Sequence, residues 1–295
     1  MLGEISKHMM EDGLILEQRY LTKTKRLELD RERCFGCGIC SAVCPKESIT
    51  LSDPSVEEGR LVKRPEVEID PESCILCGIC VVFCPSNALK ATTDGEEYVS
   101  VIEYDVMPTL TKTIKIESEK CDIACMLKCQ ESCPVEAINV ETRIVEGAIQ
   151  ITGVNVDEQL CFYCKQCEAA CPFNLIKVER YFKGRVELET DKCPEGCMAC
   201  VDICHSNALR LDDEGKLELN QQFCILCSAC EKVCPEDAIQ VYRTSIDHSH
   251  IKSGTWFTVL EKLTSAHVLA RELGEEAENH ARFLFIETLK TLKKM

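Results

Sequence analysis

The 295-residue chain is poor in aromatic residues, which make up 5% of it and include a single Trp. So little bulky apolar surface predicts that no large conventional hydrophobic core forms. Basic residues are also scarce, since 34 Lys and Arg stand against 50 Asp and Glu, for a formal charge of −16. Because nucleic-acid binding depends on Lys and Arg contacts to phosphate, this balance argues against a nucleic acid as partner.

Long apolar segments are lacking as well. No stretch approaches the roughly 20 residues that a transmembrane helix needs. The first residues, MLGEISKHMMEDG, contain no basic segment followed by an apolar run and a small-residue cleavage site, so no signal peptide is expected. We therefore expect no membrane span and a cytoplasmic location.

Cysteine, in contrast, is abundant, and all 24 residues fall into six copies of one pattern. Four copies read C-x2-C-x2-C-x3-C-P: Cys34, Cys37, Cys40 and Cys44; Cys74, Cys77, Cys80 and Cys84; Cys161, Cys164, Cys167 and Cys171; Cys224, Cys227, Cys230 and Cys234. Two copies have longer gaps: Cys121, Cys125, Cys129 and Cys133; Cys193, Cys197, Cys200 and Cys204. We number these motifs one to six in chain order.

Four thiolates are what one [4Fe–4S] cluster requires, so the count predicts six clusters with all 24 cysteines as iron ligands. Disulfide scaffolds belong to short secreted chains. Structural zinc sites usually separate two C-x2-C pairs by a long loop, unlike these motifs. Cys193, Cys197 and Cys200 also match the motif of radical enzymes that bind S-adenosylmethionine, but Cys204 then leaves no iron open. No catalytic residue is predicted, since no phosphate loop, dinucleotide signature or nucleophile triad accompanies the cysteines.

Short segments with alternating apolar and polar residues flank every motif and predict half-buried strands. They precede the motifs at 27–30, 67–70, 114–117, 154–157, 186–189 and 217–220, and follow them at 49–51, 88–89, 137–140, 175–178, 208–211 and 238–241. The third and fourth Cys of each motif are spaced i, i+4, which places both sulfurs on one face of a helical turn. Hairpin turns are predicted at Asp94-Gly95, Lys183-Gly184 and Glu214-Gly215.

The units resemble bacterial-type two-cluster ferredoxins, in which each motif gives three ligands to one cluster while its fourth Cys crosses to the other. For pairs of consecutive motifs, the resemblance implies six quartets: Cys34, Cys37, Cys40 with Cys84; Cys74, Cys77, Cys80 with Cys44; Cys121, Cys125, Cys129 with Cys171; Cys161, Cys164, Cys167 with Cys133; Cys193, Cys197, Cys200 with Cys234; Cys224, Cys227, Cys230 with Cys204.

The pairing of the later motifs stays open. Residues 172–192 resemble a hairpin inside a domain as much as residues 205–223 do, so motifs four and five could form a domain inserted between motifs three and six. The expected fold is α+β, with three tandem or nested bacterial-type dicluster ferredoxin domains and a C-terminal helical hairpin. The expected boundaries are 1–25 for an N-terminal extension, 26–98, 99–182 and 183–245 for the ferredoxin domains, and 246–295 for the helical tail.

In that tail, residues 255–273 and 275–293 have helical periodicity, with Trp256, Leu260 and Leu263 on one stripe. Two uses of such a hairpin remain open: it docks a partner subunit, or it covers the last ferredoxin unit.

The histidines near these elements are not expected to bind metal. His248 and His250 lie in a polar segment without a third ligand and are expected to be solvated. His205 replaces the proline that follows the fourth Cys elsewhere, and we expect it to cap or turn the chain.

Six tandem motifs, irregular linkers and the variant Cys193-Pro194-Glu195-Gly196-Cys197 make the chain similar to methanogen polyferredoxins, above all to the polyferredoxin subunit of formylmethanofuran dehydrogenase. This resemblance implies a non-catalytic electron-transfer subunit in the CO2 reduction of methanogenesis in an anaerobic organism. Its partners would be the molybdenum or tungsten subunits of that enzyme. A polyferredoxin of a hydrogenase or heterodisulfide reductase complex, a free electron store and a structural iron–sulfur interaction protein remain alternatives.

Lys165 stands between Cys164 and Cys167, where the other regular motifs have Gly or Ser. We predict that its charge stabilises the reduced, more negative state of the nearby cluster. Lys165→Ala should therefore lower one cluster midpoint in a redox titration followed by electron paramagnetic resonance, while Lys165→Arg should not. Unchanged midpoints in Lys165→Ala would remove the hypothesis.

Overall fold

The computed structural model describes residues 5–145, 147–251, 253–265, 267–268, 270–271 and 273–274. Three units follow one another along the chain, and each contains two consecutive cysteine motifs between short antiparallel strand pairs. Short helices begin within the motifs themselves. The predicted α+β class is confirmed.

The first unit contains motifs one and two. Its elements are β1 (Ile5–Met10), β2 (Gly13–Arg19), β3 (Thr24–Asp30), α1 (Ile39–Val43), β4 (Ile49–Leu51), β5 (Ser55–Glu57), β6 (Arg60–Lys63), β7 (Val67–Ile69), α2 (Ile79–Val82), β8 (Leu89–Thr93) and β9 (Glu96–Glu97). Strand β3, before motif one, pairs with β8, after motif two, while β4 pairs with β7 between the motifs. The two motifs are thus enclosed by one outer and one inner strand pair.

The N-terminal extension is part of the first sheet, whose order is β1-β2-β3-β8-β9. Leu14 and Leu16 of β2 are fully buried, as are Leu27 and Leu29 of the neighbouring β3. Leu14 and Leu16 lie on the same face of β2 and therefore let the hairpin complete the apolar layer over the first unit. The structure shows no independent segment at 5–25.

A short helix, α3 (Ser100–Glu103), leads to the second unit, which contains motifs three and four. Its strands and helices are β10 (Thr113–Ile116), α4 (Lys128–Glu131), β11 (Ile138–Val145), β12 (Ala148–Val156), α5 (Gln166–Ala170) and β13 (Ile176–Glu179). Strand β10 pairs with β13, and β11 pairs with β12 in a long hairpin. A single 3₁₀ turn at Ser118–Lys120 precedes motif three, and another, Ile123–Cys125, lies in the first of its longer gaps.

The third unit contains motifs five and six. Its elements are β14 (Phe182–Leu188), a 3₁₀ turn (Thr190–Lys192), α6 (Ala199–Asp202), β15 (Leu209–Leu211), β16 (Leu217–Leu219), α7 (Ala229–Val233) and β17 (Ile239–Ile246). Strand β14 pairs with β17, and β15 pairs with β16. The predicted turns at Asp94-Gly95 and Glu214-Gly215 connect β8 to β9 and β15 to β16.

The predicted turn at Lys183-Gly184 is wrong, because both residues lie inside β14. The pairing register shifts between them, and a side-chain carbon on Gly184 would stand 1.9 Å from the backbone oxygen of Tyr242. Glycine here allows a close approach of two strands at a bulge rather than a reversal of the chain.

These strand pairs bear on the nested alternative. In the segment between Cys171 and Cys193, β13 pairs back to β10 and β14 pairs forward to β17, so the two strands do not form a hairpin with each other. One unit ends in this segment and the next begins there. The pairing favours consecutive motifs as partners.

The helical tail begins with α8 (Gly254–Leu263), whose Trp256 and Leu260 are buried. The Trp256 ring stacks on Phe83 of the first unit, with centroids 6.2 Å apart. The predicted helix over 255–273 is interrupted after Leu263, because Thr264 is extended. The second predicted helix, 275–293, lies outside the described residues.

A large apolar cluster forms after all, but between units rather than within one. Ile39 and Phe83 of the first unit meet Phe182 and Leu226 of the third, with Leu260 of α8 among them. The low aromatic content was misleading because the apolar surfaces of separate units combine. Within the part of the chain that the structure describes, no helix has the length and apolar character needed to span a bilayer.

The bulge at Gly184 yields a stability prediction. Gly184→Ala should lower the free energy of unfolding by about 1–3 kcal/mol, because the added side-chain carbon forces β14 and β17 apart. The change is measured as a lower apparent melting temperature of the anaerobically prepared protein. Gly254→Ala is the matched control, since nothing lies within 4 Å of its added carbon. Equal melting of both variants and the parent protein would contradict the close approach.

Candidate metal centres

Three small cavities are each lined by four cysteines. They contain Cys44, Cys74, Cys77 and Cys80 in the first unit; Cys133, Cys161, Cys164 and Cys167 in the second; Cys204, Cys224, Cys227 and Cys230 in the third. Each set combines the first three cysteines of one motif with the fourth of the motif before it. The structure thus brings together three of the six quartets implied by the ferredoxin resemblance.

The other three quartets show the reciprocal crossing. Burial raises the pKa of the first thiol in each of motifs one, three and five, and the fourth thiol of the following motif raises it further. The pairs that lie close in this way are Cys34 with Cys84, Cys121 with Cys171, and Cys193 with Cys234.

The cavities suit an iron–sulfur cluster chemically. Their remaining walls are mostly apolar, as with Leu27 and Ile49 in the first unit, and all 24 cysteines are free thiols. Burial raises the pKa of Cys164 to about 11 and of Cys167 to about 12, so metal must displace protons to bind there. Four thiols around each of these cavities match the four ligands that one [4Fe–4S] cluster requires. We propose that these quartets are the cluster ligands.

Local backbone geometry explains how a regular motif wraps its site. The residue after the second Cys adopts a left-handed conformation, with φ of 79° at Gly38, 70° at Lys165 and 71° at Ser228, and a helix begins at the next residue. Glycine adopts this conformation without a steric penalty, whereas Lys165 adopts it at a cost in backbone strain. The effect of Lys165 on a cluster potential remains a prediction.

The histidines have structural contacts. His205 donates a hydrogen bond from Nδ1 to the Ile203 carbonyl oxygen at 2.8 Å, and its ring stacks on Phe35 with centroids 4.2 Å apart. The expectation that His248 is solvated is wrong, because its half-buried ring packs on the Trp256 ring with centroids 4.5 Å apart. His250 is exposed.

We call the boundaries between units seams. In each unit, one quartet shares a nearby cation with a quartet of another unit across a seam, and we call it the inner quartet. These inner quartets are Cys34, Cys37, Cys40 with Cys84; Cys161, Cys164, Cys167 with Cys133; Cys224, Cys227, Cys230 with Cys204. The remaining three are the outer quartets. Across the seam between the first and third units, the Cys227 thiol adds to burial in raising the pKa of Cys37. The Phe35 and Phe162 rings meet edge to face at 5.4 Å where the inner quartets converge.

A half-buried cation lies at the seam between the first and second units. Lys112 places Nζ 3.4 Å from Asn87 Oδ1 and 5.2 Å from the centre of the Tyr163 ring. Asn87 belongs to the turn that follows Cys84, and Tyr163 stands between Cys161 and Cys164. Lys112 therefore contacts the binding segments of two inner quartets.

Arginines occupy the other two seams. Arg180 of the second unit donates from Nη1 to the Gln222 carbonyl oxygen at 3.1 Å, just before Cys224 of the third. Arg243 donates to the Leu226 carbonyl oxygen and to Ser228 Oγ, both at 3.0 Å, on either side of Cys227. Burial lowers the pKa of both arginines, and neighbouring cysteine thiols oppose that effect.

Direct contacts hold the units together. Arg60 donates from Nε and Nη2 to both oxygens of Asp202 at 2.8 Å, which joins the first unit to the third. Gln166 Nε2 donates to the Ser206 carbonyl oxygen at 3.0 Å and joins the second to the third. Sequence reasoning missed these contacts and the seam cations, because no local pattern identifies them.

Comparison with known proteins agrees with this geometry. A family model described as a 4Fe-4S dicluster domain matches residues 33–88, 73–137, 120–175 and 192–238, and a second model of the same description matches 153–205. Every pair of neighbouring motifs is matched, so these models do not decide the pairing. Six quartets together with these matches fit six [4Fe–4S] clusters.

Among solved structures, a chain in the formate dehydrogenase–heterodisulfide reductase–formylmethanofuran dehydrogenase complex from Methanospirillum hungatei is similar, with a TM-score of 0.75 and 31% identity over 90% of this chain and 92% of that one. Formate hydrogenlyase subunit 2 of Escherichia coli is 35% identical over 30% of this chain and 46% of its own length. The polyferredoxin-like subunit of the Pyrococcus furiosus aliphatic sulfonate oxidoreductase is 32% identical over 25% and 49%. The chain spans less than two thirds of the first curated relatives it matches, from 12% to 64% of their lengths.

Double variants can test which cysteines share a cluster. Cys121→Ala combined with Cys171→Ala should remove one cluster, about four iron atoms per chain, because both residues serve the same quartet. Cys121→Ala combined with Cys234→Ala should remove two clusters, about eight iron atoms. Both variants carry two substitutions, so each controls for the other. The losses are measured by iron analysis of anaerobically prepared protein. Under nested pairing, the variant with Cys234→Ala would lose one cluster and the variant with Cys171→Ala would lose two.

Proposed function

The chain belongs to the 4Fe-4S dicluster domain family, and we propose that it relays electrons as a non-catalytic subunit of formylmethanofuran dehydrogenase. Each of its six [4Fe–4S] clusters takes up and releases one electron without rearrangement of bonds. We propose all 24 cysteines as the ligands, in the six crossed quartets.

The observation that supports this partner is the match along nearly the whole chain to the Methanospirillum hungatei complex. It covers 90% of this chain and 92% of the other, whereas matches to other oxidoreductase subunits cover about a third of the chain or less. An arrangement of three units is therefore what the two chains share. That complex contains formylmethanofuran dehydrogenase, which would be the catalytic partner here.

In this proposal the protein sets the positions of the clusters and their chemical environment. Strand pairs and crossed cysteines fix the two quartets of each unit, and the seams fix the units relative to one another. Apolar walls such as Phe35 and Ile225 exclude water from the thiols. Exclusion of water disfavours the more negative, reduced state and so favours low potentials. The formal charge of −16 suits docking to basic patches on partner subunits.

A second candidate is electron transfer to or from a hydrogenase. The match to formate hydrogenlyase subunit 2 favours it, although that match covers only 30% of this chain. The two candidates share the same cluster chemistry and differ in the protein that binds the chain.

Purification from native cells distinguishes these candidates. We expect the tagged chain, isolated from anaerobically lysed cells at low salt, to bring down the catalytic subunits of formylmethanofuran dehydrogenase, identified by mass spectrometry. Because charge complementarity assists docking, recovery should fall as ionic strength rises. An untagged lysate is the control. Elution alone, or with hydrogenase subunits instead, would overturn the proposed partner.

Reduction of the isolated chain separates an electron carrier from a protein with purely structural clusters. Dithionite should reduce several clusters reversibly, with paramagnetic signals that disappear on reoxidation. Clusters that stay oxidised in fully iron-loaded protein would favour the structural alternative.

A further inference from the structure

Tyr181 lies between β13 and β14, at the seam of the first and third units, and is 8% exposed. Its hydroxyl is buried and has no hydrogen-bond partner among the described residues. A buried hydroxyl without a partner costs free energy, and in native structures such a group usually has an acceptor. We therefore expect this hydroxyl to donate to an acceptor other than the protein atoms around it.

Cysteine thiols identify the surroundings of this hydroxyl. Tyr181 belongs to the apolar cluster between the first and third units, and Cys37 of the first inner quartet and Cys224 and Cys230 of the third pack against that cluster. Burial raises the pKa of the hydroxyl and the thiols of Cys84, Cys37 and Cys227 raise it further, in agreement with this placement. Tyr181 thus packs with residues of both inner quartets that meet at this seam.

A fixed positive charge accompanies the hydroxyl. The Arg243 guanidinium lies over the Phe182 ring, 4.8 Å from its centre, and is held by the Leu226 carbonyl oxygen and Ser228 Oγ. Arg243, Ser228 and Cys37 line one cleft of about 550 Å³ between the units. Because arginine does not lose its proton in proteins, the charge at this seam is permanent.

We propose that Tyr181 donates a hydrogen bond to a sulfur of an inner cluster and that, together with Arg243, it raises the reduction potentials of the two clusters at this seam. Each cluster gains one electron on reduction and its core charge falls by one, while Tyr181 keeps its proton. A hydrogen-bond donor and a cation both stabilise the more negative form. The two groups therefore favour the reduced state. This inference depends on the chain being an electron carrier, but not on the identity of its partner.

Tyr181→Phe tests the hydrogen bond, because it removes one oxygen and preserves the packing of the ring. The midpoint potentials are measured in a redox titration of the isolated protein with dithionite. We expect the midpoint potential of one or two clusters to fall, because the equilibrium constant for reduction becomes threefold to tenfold smaller. A tenfold change corresponds to about 59 mV for a one-electron couple. Iron content should be unchanged. An exchangeable proton coupled to a reduced cluster should also disappear from the electron–nuclear double resonance spectrum. Tyr104→Phe, which alters an exposed tyrosine, is the control.

Arg243→Gln tests the charge and should lower the midpoints of the same clusters, whereas Arg243→Lys keeps the charge and should restore most of the parent values. Arg210→Gln removes an exposed arginine paired with Glu218 and should leave all midpoints unchanged. Equal shifts in Arg243→Gln and Arg243→Lys would contradict a role for the charge.

Tyr181→Phe decides the proposal even if Arg243→Gln loses iron. Unmoved midpoints and a retained proton coupling, in Tyr181→Phe with full iron content, would overturn it. The measurement uses the purified chain alone, so its outcome is independent of whether formylmethanofuran dehydrogenase proves to be the partner.

Discussion

The crossing of the fourth cysteine from each motif to the quartet of its partner is the constraint on which this structure depends. The inner strand pairs β4–β7 and β15–β16 each have only three paired residues, too few to hold two halves of a unit together alone. A cluster held, as we propose, by thiols from both halves would supply the missing connection. Metal binding and folding are therefore expected to be coupled in the first and third units.

Apolar burial and ion pairs connect the three units to one another. Phe83, Phe182 and Trp256 share one apolar cluster that fills the space between the first unit, the third unit and α8. The paired oxygens of Asp202 with Arg60 fix a second contact of the same two units. Helix α8 thus packs in the interior of the molecule, between the first and third units. Neither of the two uses expected of the tail included this position.

The quartets and most strands follow from the sequence because both depend on local spacing. The choice between consecutive and nested motifs does not, since it rests on long-range pairing such as Ile116 with Ile176. The N-terminal hairpin had a usable signal, since Asp12 and Gly13 stand where the Glu11–Asp12 turn meets β2, just before Leu14 and Leu16. Gly184 was misinterpreted because a bulge and a turn require the same residue. Tyr181 lacks any local pattern, and only its neighbours in space give it a role.

Arg180 contacts the third unit through main-chain oxygen atoms of Gln222 and Gln221 and not through their side chains. Every amino acid offers the same oxygen, so these two positions tolerate substitution without loss of the contact. Evolutionary divergence can therefore change this part of the third unit freely while the spacing between neighbouring redox centres is preserved.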